Sequence, residues 1–217
     1  MKITLCLLVF LFISISNSNS QSIEINSLAN RNRFYCLSSS TDNDYSSKYN
    51  YAVGLCFNDI KIFSQTFKFT LKYDYYRGTI NVYDGMMGGG DGVYLDLKKN
   101  TLSLGIYPFN YKFNNLNLNF GGDFNYSFHE NITGEATSFH GLNSKSYPIN
   151  NRYTKLNFGL AGNLSYSILL KNNLYLNPQF SAFIGLTNEF KNIPNHTKSF
   201  RQYLGIGLIK KLEQKLN

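Results

Sequence analysis

The feature that most constrains this chain is a long, strict alternation of apolar and polar side chains. In residues 155–170 the even positions are almost all apolar, and the odd positions are mostly polar or small. A period of two predicts a β-strand with two different faces, because successive side chains of a strand point to opposite sides. Strands of soluble sheets are usually about 5–6 residues long, whereas a strand that crosses a bilayer needs roughly 9–11. The stretch is therefore long enough to cross a membrane.

Two further stretches, 115–128 and 174–187, repeat this alternation. In both of them the even positions are mostly Leu, Phe, Tyr, Ile and other small or apolar residues, and the odd positions are rich in Asn, Ser, Gly and Gln. Composition agrees, since 16% of the residues are charged and 16% are aromatic, a low charge and a high aromatic content for a soluble protein. Three long two-faced strands indicate an outer-membrane barrel.

The same alternation, followed along the whole chain, predicts eight strands. Residues 21–32 are a polar lead-in to which we assign no structure. The parity of the pattern slips near Gly78, around 98–100 and at Pro108, which predicts a β-bulge or an irregular pairing in these places. The predicted strands are residues 33–38, 49–58, 66–83, 93–112, 115–128, 153–170, 174–187 and 198–211.

The connections between these strands alternate in length. The longer loops are 39–48, 84–92, 129–152 and 188–197, and the mostly shorter turns are 59–65, 113–114 and 171–173. This alternation predicts an all-β fold, an eight-stranded antiparallel up-and-down transmembrane β-barrel with its short turns and both termini in the periplasm. The longest loop, 129–152, is the expected contact surface, since long loops on a rigid scaffold usually carry recognition.

Residues 1–20 have the pattern of a cleavable signal peptide. Lys2 supplies the positive start, residues 3–15 are apolar, and Ser18 and Ser20 are small residues at a cleavage site. We place the cut after Ser20, so that 21–217 form the barrel domain. No later stretch approaches the roughly 20 apolar residues of a membrane helix, and a closed barrel is then the way into a membrane. The expected location is the outer membrane of a Gram-negative bacterium.

A family resemblance is carried by residues 51–76, 94–128 and 155–188. Its most specific part is FGLAGNLSY at 158–166, followed by NNLYLNPQFSAFIGLTN at 172–188. These stretches resemble the outer-membrane β-barrel domain proteins described as PorT-like, and the resemblance covers most of the chain after the leader. It implies an eight-stranded barrel in the outer membrane and no enzyme activity, because that family is defined by its barrel.

The polar face of the strands predicts the content of the lumen. Eight strands enclose a space only wide enough for side chains to fill it. Charges inside that space should pair, because an unpaired buried charge is costly. We therefore predict a plugged, non-conducting lumen with a charge network. The strand parity places inside it Lys68, Lys72, Asp74, Asp123 and Lys155.

No residue pattern predicts a catalytic site, a cofactor or a metal. The histidines His129, His140 and His196 fall in predicted outer loops, without metal-ligand spacing. His129 lies near Ser127 and acidic residues, and a Ser–His–acid set can transfer acyl groups, so a lipid A deacylase is an alternative function.

A disulfide between Cys36 and Cys56 stays possible. Both cysteines lie in the exported part of the chain, where disulfides persist, and they fall on neighbouring predicted strands.

The charge balance bears on partners. The formal net charge is +8, but Lys and Arg are dispersed, which speaks against nucleic acid and leaves basic loops that face lipopolysaccharide phosphates. The expected partners are outer-membrane lipid, lipopolysaccharide and an envelope protein of unknown identity. The predicted function is a structural or interaction role. A secreted lipocalin-like barrel with the apolar face inside is a further alternative, although polar positions filled by Asn, Ser, Gly and Thr suit a narrow interior better.

Overall fold

The computed structural model describes residues 22–36, 43–48, 50–62, 64–83, 92–137, 145–148, 154–189 and 197–212. Within these ranges no helix is both long and apolar enough to cross a membrane. The strand segments are β1 (Ser22–Cys36), β2 (Asn43–Ser47), β3 (Asn50–Ile62), β4 (Gln65–Tyr83), β5 (Gly92–Phe113), β6 (Leu116–Thr137), β7 (Lys145–Pro148), β8 (Leu156–Tyr166), β9 (Ile168–Lys171), β10 (Leu174–Gly185) and β11 (Thr197–Lys211).

Antiparallel pairing closes these segments into a ring. The order is β11-β1-β3-β4-β5-β6-β8-β10, and β10 pairs with β11 to complete it. Three shorter segments pair with strands of this ring. β2 precedes β3 in the chain and pairs with β4, and β7 precedes β8 in the chain and pairs with β6. β9 follows β8 and pairs with β10. The described residues thus confirm the predicted eight-stranded antiparallel barrel. Closure leaves no open strand edge around the ring where the strands pair.

The wall of the barrel is apolar outside and polar inside. On β8 the outward side chains include Leu156 and Leu160, which are 66% and 55% exposed, whereas the inward Asn157 and Asn163 are 3% and 5% exposed. The same division holds on β6 and β10. The alternative of a lipocalin-like barrel with an apolar interior is therefore wrong, because the Leu and Phe positions face outward.

The outward apolar belt has the height of a membrane core. On β8 the belt runs from Leu156 to Tyr166. At about 3.3 Å per residue and a tilt of roughly 40°, this stretch is about 25 Å tall along the barrel axis, which matches the apolar band of outer-membrane barrels.

The first strand begins much earlier than its sequence indicated. β1 starts at Ser22 and includes most of the residues that we treated as a polar lead-in. Its inward face is polar, with Glu24 and Asn26, and its outward face changes from Ile25 to Ser27 after a few residues. The contrast between the two faces is too weak to mark a strand by periodicity alone.

The irregular pairings lie mostly where the parity slipped. The β5–β6 register shifts between Asn100 and Thr101 and again between Ile106 and Phe109, as the sequence indicated. The irregularity expected near Gly78 is absent from the β4–β5 register, which continues without a shift from Lys68 to Tyr83. It lies on the other side of β4, where the register changes by one residue between the pairs Tyr51–Tyr75 and Ser47–Gly78. An additional shift lies between Phe57 and Ile60 in β3, where Asp59 has a φ of 61°.

The predicted outer loops are partly strand. β6 continues to Thr137 and pairs with β7, so that much of the predicted loop 129–152 is a hairpin that extends beyond the belt. β2 lies within the predicted loop 39–48. At the opposite end, Ser22 pairs with Lys211, so the two ends of the ring lie together. The predicted signal peptide, residues 1–20, and residues 84–91 of the predicted loop 84–92 lie outside the described residues.

The register separates Cys36 from Cys56. Cys56 pairs with Glu24 on β1, and Cys36 lies 12 residues further along that strand. This places their backbones roughly 40 Å apart at about 3.3 Å per residue, whereas disulfide Cα atoms lie about 4.4–6.8 Å apart. The possible Cys36–Cys56 bridge is therefore excluded, and Cys56 is a buried free thiol.

Candidate functional site

The lumen of the barrel is filled by charged side chains that are withdrawn from water. Among the described residues four acids and four bases are buried, so their formal charges cancel. None of the eight is more than 8% exposed. Charges this deep are tolerated only when each is paired and hydrogen-bonded. They are Glu24, Lys68, Lys72, Asp74, Lys99, Asp123, Glu189 and Arg201.

The lower cluster, nearest the short turns, is centred on the carboxylate of Glu24. Nζ of Lys68 lies 3.6 Å from its Oε2. The amides of Asn177 and Gln179 donate to its Oε1 at 2.9 and 2.8 Å. Because the four side chains come from β1, β4 and β10, this cluster ties strands across the lumen.

An amide relay extends the lower cluster. Nζ of Lys68 donates to Oδ1 of Asn163 at 3.3 Å. The amide of Asn163 in turn donates to Gln179 at 3.0 Å and to Ser181 at 2.8 Å. Asn163 thus links Lys68 to the polar side chains of β10 in a region from which water is excluded.

The middle cluster holds two carboxylates. Nζ of Lys72 lies 3.5 Å from Oδ2 of Asp123, and the Tyr107 hydroxyl donates to Oδ1 of the same residue at 3.0 Å. Lys72 also lies over the ring of Tyr203, 3.9 Å from its centroid. A cation at that distance from an aromatic face is attracted to the ring.

Asp74 is the second carboxylate of the middle cluster. It accepts hydrogen bonds from the Asn30 amide and, at 2.6 Å, from the Tyr203 hydroxyl. Nη1 of Arg201 lies 3.9 Å from its Oδ2. Arg201 therefore connects the middle cluster to the cluster above it.

The upper cluster closes around Glu189, which follows the end of β10. Its Oε1 lies 2.5 Å from Nζ of Lys99 and 3.4 Å from Nη2 of Arg201. Burial alone would raise the pKa of Glu189, but the charges of Lys99 and Arg201 and their hydrogen bonds outweigh burial and hold the pKa below its ordinary value. Glu189 is thus a carboxylate from beyond the strand that folds back into the barrel mouth.

A layer of apolar and aromatic side chains also fills the lumen. Six strands contribute one side chain each, and the largest are aromatic. Tyr107 and Tyr203 belong both to this layer and to the middle cluster, so the charges there are surrounded by bulky rings. The layer consists of Leu28, Ala52, Tyr107, Ala161, Phe183 and Tyr203.

Two cavities within the described part of the barrel are lined mostly by polar side chains. A cavity of about 130 Å³ opens at the turn end, below Glu24 and Lys68. Higher up, a cavity of about 20 Å³ borders Asn26, Lys72 and Tyr107, which is room for about one water molecule.

Two glycines make room for the carboxylates. A Cβ atom on Gly207 would overlap Oε1 of Glu24, and one on Gly105 would overlap Oδ1 of Asp123. At these two inward positions a side chain cannot be added without moving a buried charge.

The structure places four of the five predicted network residues inside the lumen. Lys68, Lys72, Asp74 and Asp123 are buried and have partners there. Lys155 is exposed, because it precedes the first residue of β8 and the alternation does not reach it.

Four further members of the network escaped the sequence analysis. Glu24 lay in the unassigned lead-in, and Lys99 lay where the parity was irregular. Arg201 has the same parity as the inward Tyr203, a signal that could have found it. Glu189 stands outside the strands and left no periodic signal.

The histidine and the serine singled out in the sequence lie in different environments. Ser127 is buried inside the barrel, whereas His129 is an exposed residue of β6, beyond a register shift. His140 and His196 lie outside the described residues. In the part of the chain that is described, no three His, Cys, Asp or Glu side chains are grouped so as to hold a metal ion.

A closed antiparallel barrel with an apolar belt outside and a polar, filled interior belongs to the outer-membrane class of transmembrane β-barrels. The belt faces lipid, and the outer membrane is where the protein resides.

Comparison with known proteins gives only distant likenesses. No protein-family model matches the sequence, and no curated protein matches it. One similar structure is Neisserial surface protein A, at 9% identity, 88% coverage of this chain, 97% of that chain and a TM-score of 0.40. Another is outer membrane protein OprG from Pseudomonas aeruginosa, at 14% identity, with 90% coverage of this chain, 98% of that chain and a TM-score of 0.41. The translocator domain of the autotransporter NalP from Neisseria meningitidis has 9% identity, with 97% coverage of this chain, 95% of that chain and a TM-score of 0.36. Likenesses this distant carry no inference about function.

Proposed function

We propose that this protein is a sealed, non-conducting outer-membrane barrel with a structural or interaction role and no catalysis. Its partners are outer-membrane lipid, lipopolysaccharide and an envelope component that contacts the extracellular end. The observation that carries the proposal is the lumen, where four acids and four bases of the described residues are buried in three clusters around an aromatic layer, and Arg201 joins the upper two clusters.

The energetics of the lumen favour a seal. An ion that entered would have to separate a buried pair such as Lys72 and Asp123, and breaking such a pair costs about 3–5 kcal/mol. It would also have to move Tyr107 and Tyr203, which are packed between strands. A solute path would require several of these changes together.

The hairpins beyond the belt supply the interaction surface. β6 continues from Phe128, at the top of the belt, to Thr137, and β5 accompanies it. At about 3.3 Å per residue and a ~40° tilt, these paired strands rise roughly 20 Å above the lipid. A ladder of that height presents its upper end to molecules outside the cell.

Planar-bilayer recording of the purified, refolded protein tests the seal. We expect no single-channel steps in 1 M salt, the condition under which an open barrel would conduct best. Steady, large steps from the pure protein, abolished by heat unfolding before reconstitution, would contradict the sealed lumen. The heat-unfolded sample serves as the control for contaminating porins.

A further inference from the structure

A row of basic side chains lies on the outer wall immediately above the apolar belt. Arg77 on β4 pairs with Lys98 on β5. On β1, Arg31 is the residue after Asn30, which pairs with Asn50 on β3. Asn50 lies beside Arg77 on β4, because its Oδ1 accepts a hydrogen bond from the backbone N–H of Arg77. Arg31 and Arg77 are therefore at about the same level of the wall. With Arg33 and Lys48 these residues form what we call the basic patch, which consists of Arg31, Arg33, Lys48, Arg77 and Lys98.

The basic patch borders the aromatic upper edge of the belt. Arg77 is two residues beyond Tyr75, on the same face of β4, and the Tyr75 ring lies 5.3 Å from that of Tyr51. A second aromatic pair, Tyr73 and Phe128, lies 6.2 Å apart beside it. Such rings mark the level of the membrane–water interface. The patch therefore lies at the depth of lipid head groups.

The patch carries excess positive charge. Lys48, Arg77 and Lys98 lie around the carboxylate of Asp96, at 3.8, 3.9 and 4.0 Å. These distances are too long for hydrogen bonds. The side chains of the three bases are 39–47% exposed, and Arg31 and Arg33 on β1 are exposed as well. Among the described residues, Arg77 and Lys98 share this one loosely held anion, so phosphate oxygens can bind their donors more closely than Asp96 does.

We propose that the basic patch binds the phosphate groups of a phosphorylated glycolipid of the lipid A type in the outer leaflet. This proposal rests on the proposed function for its orientation, in which the short turns face the periplasm. Arginine presents a planar fork of donors that matches phosphate oxygens. An amphiphile is the ligand that contacts both the apolar belt and the basic patch, because its acyl chains lie along the belt while its phosphates reach the patch.

Lipid binding by the refolded protein in detergent tests this site. The probes are diphosphorylated lipid A, the same lipid without its phosphates, phosphatidylglycerol and inorganic phosphate, and native mass spectrometry measures the bound fraction. The test variant carries Arg31→Gln, Arg77→Gln and Lys98→Gln. The matched control carries Lys61→Gln, Lys171→Gln and Lys210→Gln, three exposed lysines at the opposite end of the barrel.

We expect diphosphorylated lipid A to bind the wild-type protein and the control about equally. Each Lys or Arg near an anionic membrane surface contributes roughly fivefold to affinity, so the patch variant should bind at least about tenfold more weakly. Phosphatidylglycerol and inorganic phosphate should bind more weakly than lipid A, because they lack either the second phosphate or the acyl chains.

The proposal is overturned if the dephosphorylated lipid binds as well as lipid A, or if the patch variant retains wild-type affinity while it still migrates as a folded barrel. Equal loss in the control variant would also overturn it, since the site would then lie at the periplasmic end. Channel steps in planar bilayers would refute the sealed lumen and leave the lipid result unaffected, so the two failures are distinguishable.

Discussion

At the scale of single residues, the lumen is governed by the cost of leaving a buried charge without its partner. Lys72→Met would remove the cation 3.5 Å from Asp123 and leave that carboxylate buried. We expect a loss of about 3–5 kcal/mol in the free energy of unfolding, the range for breaking a buried pair. Urea unfolding of the refolded protein in detergent or lipid vesicles measures it.

A double variant and a surface control complete this experiment. Lys72→Met combined with Asp123→Leu removes both charges, so that most of the lost stability should return. Lys155→Met changes an exposed lysine and should shift the free energy by no more than about 0.5 kcal/mol. If the double variant is as unstable as the sum of its single substitutions, the pair does not act as a unit.

Glu189 makes a pH-dependent contribution. Its pKa in the folded protein lies below the ordinary value near 4.5. A depressed carboxyl pKa contributes stability that is fully present above the ordinary value and is lost as the pH falls through the lowered one. We expect Glu189→Gln to destabilise the protein at pH 7, and the difference from wild type to shrink below about pH 4.5. Urea midpoints between pH 7 and 3 measure it; a difference that does not change with pH would contradict this role.

Residue by residue, the sequence located the inward positions within regular strands and failed at their margins. Lys68, Lys72 and Asp123 follow from parity because their strands alternate without interruption. Lys155 does not, because β8 starts one residue later. Glu189 is held by tertiary contacts to β5 and β11, which no local pattern encodes.

At the scale of strands, the cost of placing a charged residue on the lipid-facing side of β8 and β9 should depend on its depth in the membrane. Leu160 is 55% exposed near the middle of the belt, and Leu169 is 61% exposed beside the turn. Leu160→Arg should cost about 2–4 kcal/mol and Leu169→Arg about 0–1, because arginine near the interface reaches water. Unfolding of both variants in vesicles measures the difference. Equal costs would mean that the belt is not centred in the bilayer.

The hairpin formed by the end of β6 and by β7 is expected to be dispensable for folding. Replacing residues 133–148 by a short Asn-Gly turn removes strand that lies above the belt and leaves the lumen clusters intact. We expect the shortened protein to insert, and its free energy of unfolding to change by no more than about 1 kcal/mol, since loop length has a small entropic effect. Resistance of the folded form to unfolding by detergent without heating measures insertion.

A turn variant at the other end provides the contrast. Asn173, between β9 and β10, has a φ of 64°, a conformation that a β-branched residue adopts at a cost. Asn173→Val should destabilise the protein by about 1–2 kcal/mol. If the shortened hairpin fails to insert while Asn173→Val has no effect, the long hairpin is structural and the turn is not.

Strands are predictable from sequence when their two faces differ strongly, and not otherwise. β6, β8 and β10 were found because Leu and Phe alternate with Asn and Ser over long stretches. β1 was missed over most of its length because its lipid face carries Ser27 and Ala29. The register of the chain, which excludes the cysteine bridge, depends on pairing between strands and is invisible to periodicity within one strand.

At the scale of the whole molecule, the lumen combines charge neutrality with bulk. Among the described residues, equal numbers of buried acids and bases bring the formal charge of the lumen to zero, and the aromatic layer fills part of its space. The two devices meet at Tyr107 and Tyr203, whose hydroxyls donate to Asp123 and Asp74 while their rings fill the centre. Emptying the centre therefore tests whether bulk or charge closes the barrel.

Removing the charges and removing the rings should have different effects on conduction. The pair-neutral variant Lys72→Met with Asp123→Leu should stay closed in planar bilayers, because the rings remain. Tyr107→Ala with Tyr203→Ala should give small conductance steps, since two buried rings are replaced by water-sized space in a lumen that eight strands make only wide enough for side chains. Tyr51→Ala with Tyr111→Ala, which truncates two exposed rings, is the matched control and should remain silent. Heat-modifiable migration confirms that each variant is folded before recording. If the charge-neutral variant conducts and the ring variant does not, the charges close the barrel and the aromatic layer is only packing.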